Sequence, residues 1–192
     1  MERENKTYGH ALEHIQPADL LLYRGTGIVS RVVSIASMSA YTHAAKVSVL
    51  DGSPYVVEIR ELIGGRITSL RKQVATYPGR IDYYRANPDD RWPNYNRLGA
   101  DRYMRDLTDY PYGLRHLWTA AMCHLPVVRI WFGVPSEEDV ADGHPPFCSD
   151  ACSLADRIGG GVDPVLHTSD RQTKPSDLAR SHFYQYQFTL IP

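Results

Sequence analysis

A cysteine follows two prolines at the start of a stretch whose apolar residues have helical spacing. Pro145 and Pro146 cannot continue a helix but can lead into one, so Cys148 is expected in the first turn of a helix over residues 148–158. The free N–H groups and the dipole at a helix N-terminus stabilise a thiolate and can also hold an oxyanion. Nucleophilic attack on a carbonyl carbon is the chemistry that this position favours.

The helix predicted after Cys148 is amphipathic, and packing is the alternative interpretation of its cysteines. Its apolar stripe is formed by Cys148, Ala151, Cys152, Ala155 and Ile158. The opposite face is formed by Ser149, Asp150, Ser153, Asp156 and Arg157. A free cysteine is commonly an inert buried residue. We favour that interpretation for Cys123 and Cys152, whereas position alone leaves both interpretations open for Cys148.

Two further groups on a predicted strand pair could complete a nucleophilic site. His43 begins a strand over residues 43–50, and Glu58 lies on the partner strand over residues 55–61. An imidazole can take the proton of a thiol, and a third group then orients the ring. Glu58 lies among apolar residues, where an unpaired carboxylate is costly, while Glu61 is a competitor of opposite strand parity.

The register of this strand pair decides whether His43 and Glu58 can meet. If Leu50 pairs with Tyr55, Glu58 lies opposite Val47, on the same face as His43. The two side chains are then separated by about 13 Å along the strand. A bulge or a shifted turn must therefore close the gap.

The elements that position these groups follow from periodicity and turn residues. Strands are expected over residues 19–24, 43–50, 55–61, 66–70, 80–85 and 184–191. Helices are expected over residues 1–16, 28–38, 94–107, 114–124, 127–132 and 148–158, with a capped turn over 176–179. These elements predict one α+β domain over residues 1–192, with a helical and loop insertion at about 87–144. Its largely antiparallel sheet of about six strands packs against the helix that carries Cys148.

Composition restricts the classes of function. Of the 192 residues, 43% are hydrophobic, and 21 basic side chains against 22 acidic ones give a net charge of −1. Without a basic excess, nucleic acid is not expected as a partner. No apolar run is long enough to span a membrane, no signal core begins the sequence, and three cysteines are too few for a disulfide framework. These features predict a cytoplasmic protein and leave the oligomeric state open.

Two short motifs suggest cofactors, and neither is favoured. His10, Glu13 and His14 fit an inverted zinc-protease pattern, but Pro17 ends that segment and no carboxylate-bearing helix follows to supply a further ligand. Gly25-Thr26-Gly27 lacks the Lys-Ser/Thr pair of a phosphate-binding loop. Neither a metal site nor a cofactor is predicted.

Five segments taken together resemble the permuted NlpC-type, YiiX-like papain-fold proteins. They are Pro17–Arg24, Tyr41–Ala44, Val56–Glu58, Phe147–Asp150 and Thr173–Ala179, in that order along the chain. They are similar to the family's "PGDLLLYR" strand, its "TH-V/A" strand, its "V-x-E-A" strand, its "F-x-CSE" helix start and its "T-P-S-D-L-A" segment. The departures are Ala18 for Gly, Ala44 for Val and Asp150 for Glu, which suggest a divergent branch.

The resemblance implies a circularly permuted papain-like fold, with the sheet as an antiparallel sheet or partial barrel, and a cysteine hydrolase of the amidase or peptidase type. It implies Cys148 as nucleophile, His43 as base and Glu58 as the group that orients the ring, acting on an amide or ester. Peptidoglycan peptides are one candidate substrate. A lipid acyl hydrolase or acyltransferase with the same triad is a second hypothesis, and a non-catalytic binding or assembly module is a third.

Overall fold

The computed structural model describes residues 3–25, 40–60, 64–109, 148–166, 168, 170 and 173–192. Its strands are β1 (Asn5–Thr7), β2 (Leu20–Arg24), β3 (His43–Leu50), β4 (Ser53–Arg60), β5 (Gly64–Ser69), β6 (Arg80–Ala86) and β7 (Tyr184–Ile191). Its α-helices are α1 (Tyr8–Ala11), α2 (Leu70–Thr76), α3 (Arg97–Asp106), α4 (Cys148–Leu154) and α5 (Pro175–Arg180). A π-helical turn, Ala155–Gly159, extends α4, and 3-10 turns cover Leu12–His14, Pro88–Asp90 and Leu107–Asp109.

The described strands form one mixed sheet in the order β1-β7-β6-β2-β3-β4-β5. The sheet has seven strands in the described residues rather than about six, because Asn5–Thr7 pairs in parallel with the end of β7. The prediction of a helix over residues 1–16 is therefore wrong at its start, and only the short α1 and the 3-10 turn remain helical. The other described pairings are antiparallel, so the α+β class is as predicted.

The second strand of the β3–β4 hairpin begins two residues earlier than predicted. Asp51 and Gly52 alone form its loop, and both have positive φ angles, 49° and 73°. A two-residue loop of this kind matches the right-handed twist of the strands, and Gly adopts a positive φ at no steric cost. Leu50 consequently pairs with Ser53, not with Tyr55.

The segment after β5 contains a helix that the strand prediction missed. The strand predicted over residues 66–70 ends at Ser69, and Leu70 begins α2. Leu70, Gln73 and Val74 are the buried residues of α2, which is the i, i+3, i+4 pattern of an amphipathic helix. The spacing that could have revealed this helix was therefore present in the sequence.

Both faces of the sheet are covered. One face contributes Leu22, Ala44 and Ile59 to a first core, which also contains Ala151 and Cys152 of α4. The other face contributes residues of the opposite parity to a second core, namely Leu21, Tyr23, Ala45, Val47 and Val56. The helix that begins with Cys148 thus packs on one defined face of the sheet.

Several predictions fall outside the described residues. They are the helices over 28–38, 114–124 and 127–132, most of the insertion at 87–144, and the interpretations of Glu61 and Cys123. Within the ranges that the structure does describe, no helix has both the length and the apolar content that crossing a membrane requires.

Candidate active site

Cys148 is the first residue of α4 and is partly exposed, whereas Cys152 one turn later is fully buried in the first core. Burial raises the pKa of the Cys152 thiol well above its usual value, which keeps that sulfur protonated. The two cysteines therefore differ in access although they share one helical stripe. Between them, Cys148 is the one that a substrate or an alkylating reagent can reach.

The polar face of α4 is buried, which corrects the prediction that it lies opposite the packed side. Ser149, Asp150, Ser153 and Asp156 are each no more than 5% exposed. The C-terminal segment covers this face, and the Ser149 hydroxyl donates to the backbone oxygen of Thr173 at 2.6 Å. Charge pairing covers the other end, where Asp156 accepts a hydrogen bond from Lys46. Amphipathic spacing therefore located the helix but did not show that the face opposite its apolar stripe is also packed.

His43 and Glu58 are in contact. Nε2 of His43 lies 2.5 Å from Oε2 of Glu58, whose side chain is fully buried. The earlier turn explains this contact. Continuing the pairing of Lys46 with Val57 puts Glu58 opposite Ala45, so the gap to His43 is one pleat, roughly 7 Å, instead of two. Side chains of this length span one pleat.

Cys148 lies close enough to His43 for its charge and a hydrogen bond to raise the pKa of the ring. The paired part of β3 and β4 runs from Leu50↔Ser53 to Lys46↔Val57, so His43 and Glu58 both lie beyond it. Helix α4 packs against both strands and begins with Cys148. His43 at the start of β3, Glu58 near the end of β4 and Cys148 at the start of α4 therefore lie on elements that pack against one another.

The neighbouring charges shift the pKa values of His43 and Glu58 in opposite directions. Burial lowers the pKa of His43, but the charge and hydrogen bond of Cys148 and the hydrogen bond of Glu58 outweigh it and raise the pKa to about 9. Burial raises the pKa of Glu58, yet His43, Arg60 and Arg66 outweigh that effect and lower it. At neutral pH the imidazole of His43 is therefore protonated and Glu58 is ionised.

Two arginines complete the surroundings of Glu58, and sequence reasoning missed both. Arg66 lies directly opposite Glu58 in the β4–β5 pairing, and its Nε donates to Oε1 at 2.6 Å. Nε of Arg60 lies 3.5 Å from Oε2. The alternation of Glu58 and Arg60 on one strand face was a usable signal, but the pairing with Arg66 needed the β4–β5 register, which was not predicted.

Tyr23 packs against the imidazole from the neighbouring strand. It pairs with His43 across β2 and β3, and the two ring centroids lie 5.2 Å apart. Its other side meets the ring of Tyr77 edge-on, with centroids 5.0 Å apart. Tyr23 is fully buried, so its ring limits the rotation of the imidazole.

The elevated pKa of His43 gives a direct test of its contact with Cys148. In the wild-type protein, NMR titration of the His43 ring is expected to give a pKa of about 9. In Cys148→Ala the pKa should fall, because the thiolate charge is lost while the burial that opposes protonation stays. The ring signal of exposed His10 serves as the internal control, because the Cys148→Ala substitution should leave it unchanged. An unchanged His43 titration in the variant would contradict the contact.

Comparison with known proteins identifies the fold to which this chain is similar. No family model and no curated protein matches the chain. The chain is similar to the crystal structure of the metalloprotein YiiX from Escherichia coli O157:H7, with a TM-score of 0.62 and 13% sequence identity. The similarity covers 92% of this chain and 98% of that one. The chain therefore has a YiiX-like fold, which confirms that part of the resemblance.

Proposed function

We propose that this chain with a YiiX-like fold is a cysteine-dependent hydrolase of amide bonds, of the amidase or peptidase type. The observation that carries the proposal is the 2.5 Å contact of His43 with the buried carboxylate of Glu58, on an imidazole whose pKa Cys148 also raises. A partly exposed sulfur, an imidazole and a buried carboxylate in that order are the parts that nucleophilic acyl transfer needs. The circular permutation of a papain-like fold belongs to the same proposal.

In the first half of the reaction, the Cys148 thiolate attacks the carbonyl carbon and a sulfur–carbon bond forms. The oxyanion of the tetrahedral intermediate accepts hydrogen bonds from N–H groups in the first turn of the helix, which have no intrahelical acceptor. The intermediate collapses as the carbon–nitrogen bond breaks, and His43 gives its proton to the leaving amine. An acyl-thioester on Cys148 remains.

In the second half, neutral His43 takes a proton from water as the water oxygen attacks the thioester carbonyl. The sulfur–carbon bond breaks, and the carboxylic acid and the thiolate are released. Glu58 stays ionised throughout and keeps Nε2 of His43 as the protonated nitrogen, which leaves Nδ1 for the proton exchanged with sulfur and substrate. Esters follow the same steps with an alcohol as the leaving group.

YiiX is described as a metalloprotein, but the side chains described in this chain do not fit a metal ion. Within the described ranges, no group of three or more His, Cys, Asp or Glu side chains is arranged to hold one. At the proposed site, Nε2 of His43 is bonded to Glu58, and Glu58 is also paired with two arginines. A carboxylate paired with three cations is a poor ligand for a fourth, so no step is derived through a metal.

Acylation of Cys148 is the experiment that tests the proposal. The wild-type protein is expected to release nitrophenol from p-nitrophenyl acetate with an initial burst, and to release nitroaniline steadily from a peptide p-nitroanilide. Mass spectrometry should find the acyl group on Cys148 and not on the buried Cys152. Cys148→Ala should release chromophore only at the rate of the substrate in buffer, whereas the matched control Cys152→Ala should retain the burst.

The same experiment separates the competing hypotheses. A binding or assembly module would show neither a burst nor labelling in the folded state. Turnover that persists in Cys148→Ala would contradict the proposed nucleophile. Release of nitrophenol from the ester without any release of nitroaniline from the anilide would favour an acyl-ester hydrolase or acyltransferase over an amidase.

A further inference from the structure

The two oxygens of the Glu58 carboxylate have different partners. Oε2 lies 2.5 Å from Nε2 of His43, while Oε1 lies 2.6 Å from Nε and 2.5 Å from Nη2 of Arg66. Arg60 makes a longer contact, with Nε 3.5 Å from Oε2. Arg66 is thus the side chain that fixes the rotation of the carboxylate about its last torsion angle.

A glutamate in this role needs such an anchor. It reaches the imidazole through three rotatable bonds, and fixing a side chain of this length costs conformational entropy. The torsion that turns the carboxylate is broad, so a carboxylate held at one oxygen alone rotates easily away from its partner. Charge-assisted bonds from a planar guanidinium supply the opposing energy and a defined direction.

Arg66 is itself held from two sides. It lies opposite Glu58 in the β4–β5 pairing, which sets the distance between their backbones. Its Nη2 donates to Oε1 of Gln73 at 3.4 Å, and Gln73 is a buried residue of α2. The guanidinium therefore links α2 and β5 to the carboxylate on β4.

We propose that Arg66 is a positioning residue of the Cys148 site and that it holds Glu58 so that Oε2 faces His43. The inference rests on the proposed function of Cys148 and extends it beyond the three residues that the sequence resemblance implies. Arg66 touches neither the sulfur nor a substrate, and it acts through Glu58 and His43.

Several charged or titratable groups face or surround the His43 ring, and each contributes to its pH dependence. They are Cys148 from α4, Glu58 and Arg60 from β4, Arg66 from β5, Tyr23 from β2 and Tyr77 after α2. Removing the positive charge of Arg66 disfavours the thiolate and favours the imidazolium. In a variant without this charge, the thiolate of Cys148 should therefore form beside the His43 imidazolium only at higher pH.

The test compares Arg66→Gln, Arg66→Lys and the control Arg97→Gln. Arg97 also pairs with a fully buried carboxylate, since its Nη1 lies 2.7 Å from Oδ1 of Asp19, but it does not contact His43 or Glu58. The readouts are the pH dependence of Cys148 alkylation by iodoacetamide, kcat and KM with p-nitrophenyl acetate, and the melting temperature.

Arg66→Gln is expected to shift the rising limb of the alkylation profile to higher pH by on the order of one unit. Its kcat should fall about 10- to 100-fold at little changed KM, because the base is misplaced and not the substrate. Arg66→Lys keeps the positive charge, so the rising limb of its alkylation profile should lie at the wild-type pH. Its kcat should stay low, since an ammonium lacks the planar fork of a guanidinium. Arg97→Gln should lower the melting temperature without moving the limb.

Other outcomes overturn the inference. A wild-type kcat in Arg66→Gln would exclude a positioning role. A wild-type kcat in Arg66→Lys would show that Arg66 contributes only its charge. If Arg66→Gln does not fold, Arg66→Lys carries the same kinetic test. Failure of the proposed function gives a different result. Cys148→Ala would then turn over p-nitrophenyl acetate as fast as the wild-type protein does.

Discussion

Replacing Lys46 with methionine is expected to lower the free energy of unfolding by about 3–5 kcal/mol. Lys46 and Asp156 are an ion pair with side chains 1% and 0% exposed, and their Nζ and Oδ2 atoms lie 2.5 Å apart. Removing the ammonium leaves the Asp156 carboxylate buried without its counter-charge. Such an uncompensated charge costs far more than the pair itself contributes.

The loss is expected to be large because every donor of Lys46 is used. Besides Asp156, its ammonium donates to the backbone oxygen of Ala18 at 2.9 Å and to the hydroxyl of Tyr184 at 3.0 Å. Tyr95 donates to the other carboxylate oxygen of Asp156 at 2.7 Å. Methionine has a similar shape but replaces none of these hydrogen bonds, so two acceptors lose a partner in addition to the charge.

Thermal and urea denaturation measure this effect, which should appear as a fall of roughly 6–20 °C in melting temperature. The exposed pair of Arg91 and Asp89, 3.3 Å apart, supplies the control. Arg91→Met should change stability by less than about 1 kcal/mol. The double variant Lys46→Met with Asp156→Leu should recover much of the loss, because no lone charge remains. Equal effects of Lys46→Met and Arg91→Met would contradict the argument.

The Lys46–Asp156 pair also connects the elements of the proposed active site. Lys46 lies three residues after His43 on β3, and Asp156 lies in the π-helical turn that extends the helix of Cys148. Strand alternation sends Lys46 towards α4 while His43 has the other parity. One strand thus carries the imidazole at its end and, further along, the charge that holds the cysteine helix in place.

Local patterns in the sequence predicted most of the described strands because their residues fit alternation and turn chemistry. Residues 43–50 and 184–191 have the predicted bounds. The three candidate site residues could also be named from residue type and position, and two of them, His43 and Glu58, are in contact. Their contact could not be predicted, because it depends on whether the hairpin loop has two residues or four, and Ser53 and Pro54 are as typical of a turn as Asp51 and Gly52.

The polar partners of the site were beyond the reach of periodicity for a physical reason. Lys46, Asp156 and Arg66 carry charges, and charged side chains are normally assigned to solvent. Each is buried or half-buried here because its partner lies on another strand or helix. Lys46 and Asp156 are 110 positions apart, and Arg66 meets Glu58 across the β4–β5 pairing. A charge pattern along one helix or strand carries no information about such a partner.

Glu58→Gln is expected to lower kcat/KM by about 10²- to 10⁴-fold. Glutamine has nearly the shape of glutamate, but one of its two polar atoms is an amide nitrogen that donates. If the amide oxygen accepts from Arg66, the nitrogen faces Nε2 of His43 and forces that nitrogen to accept. The proton then sits on Nδ1, where the base is needed, and the ion pair with Cys148 is lost.

The opposite orientation of the amide gives no relief, because its nitrogen would then face the guanidinium of Arg66. Iodoacetamide labelling of Cys148 at pH 7 should therefore slow together with kcat/KM, and the pKa of His43 should fall from about 9. Glu13→Gln is the matched control, since Glu13 lies 3.4 Å from His14 in an exposed His–Glu pair. It should change neither readout. Wild-type rates in Glu58→Gln would show that Glu58 only balances the charges of the arginines, and that the ring of His43 is oriented by other contacts such as the packing of Tyr23.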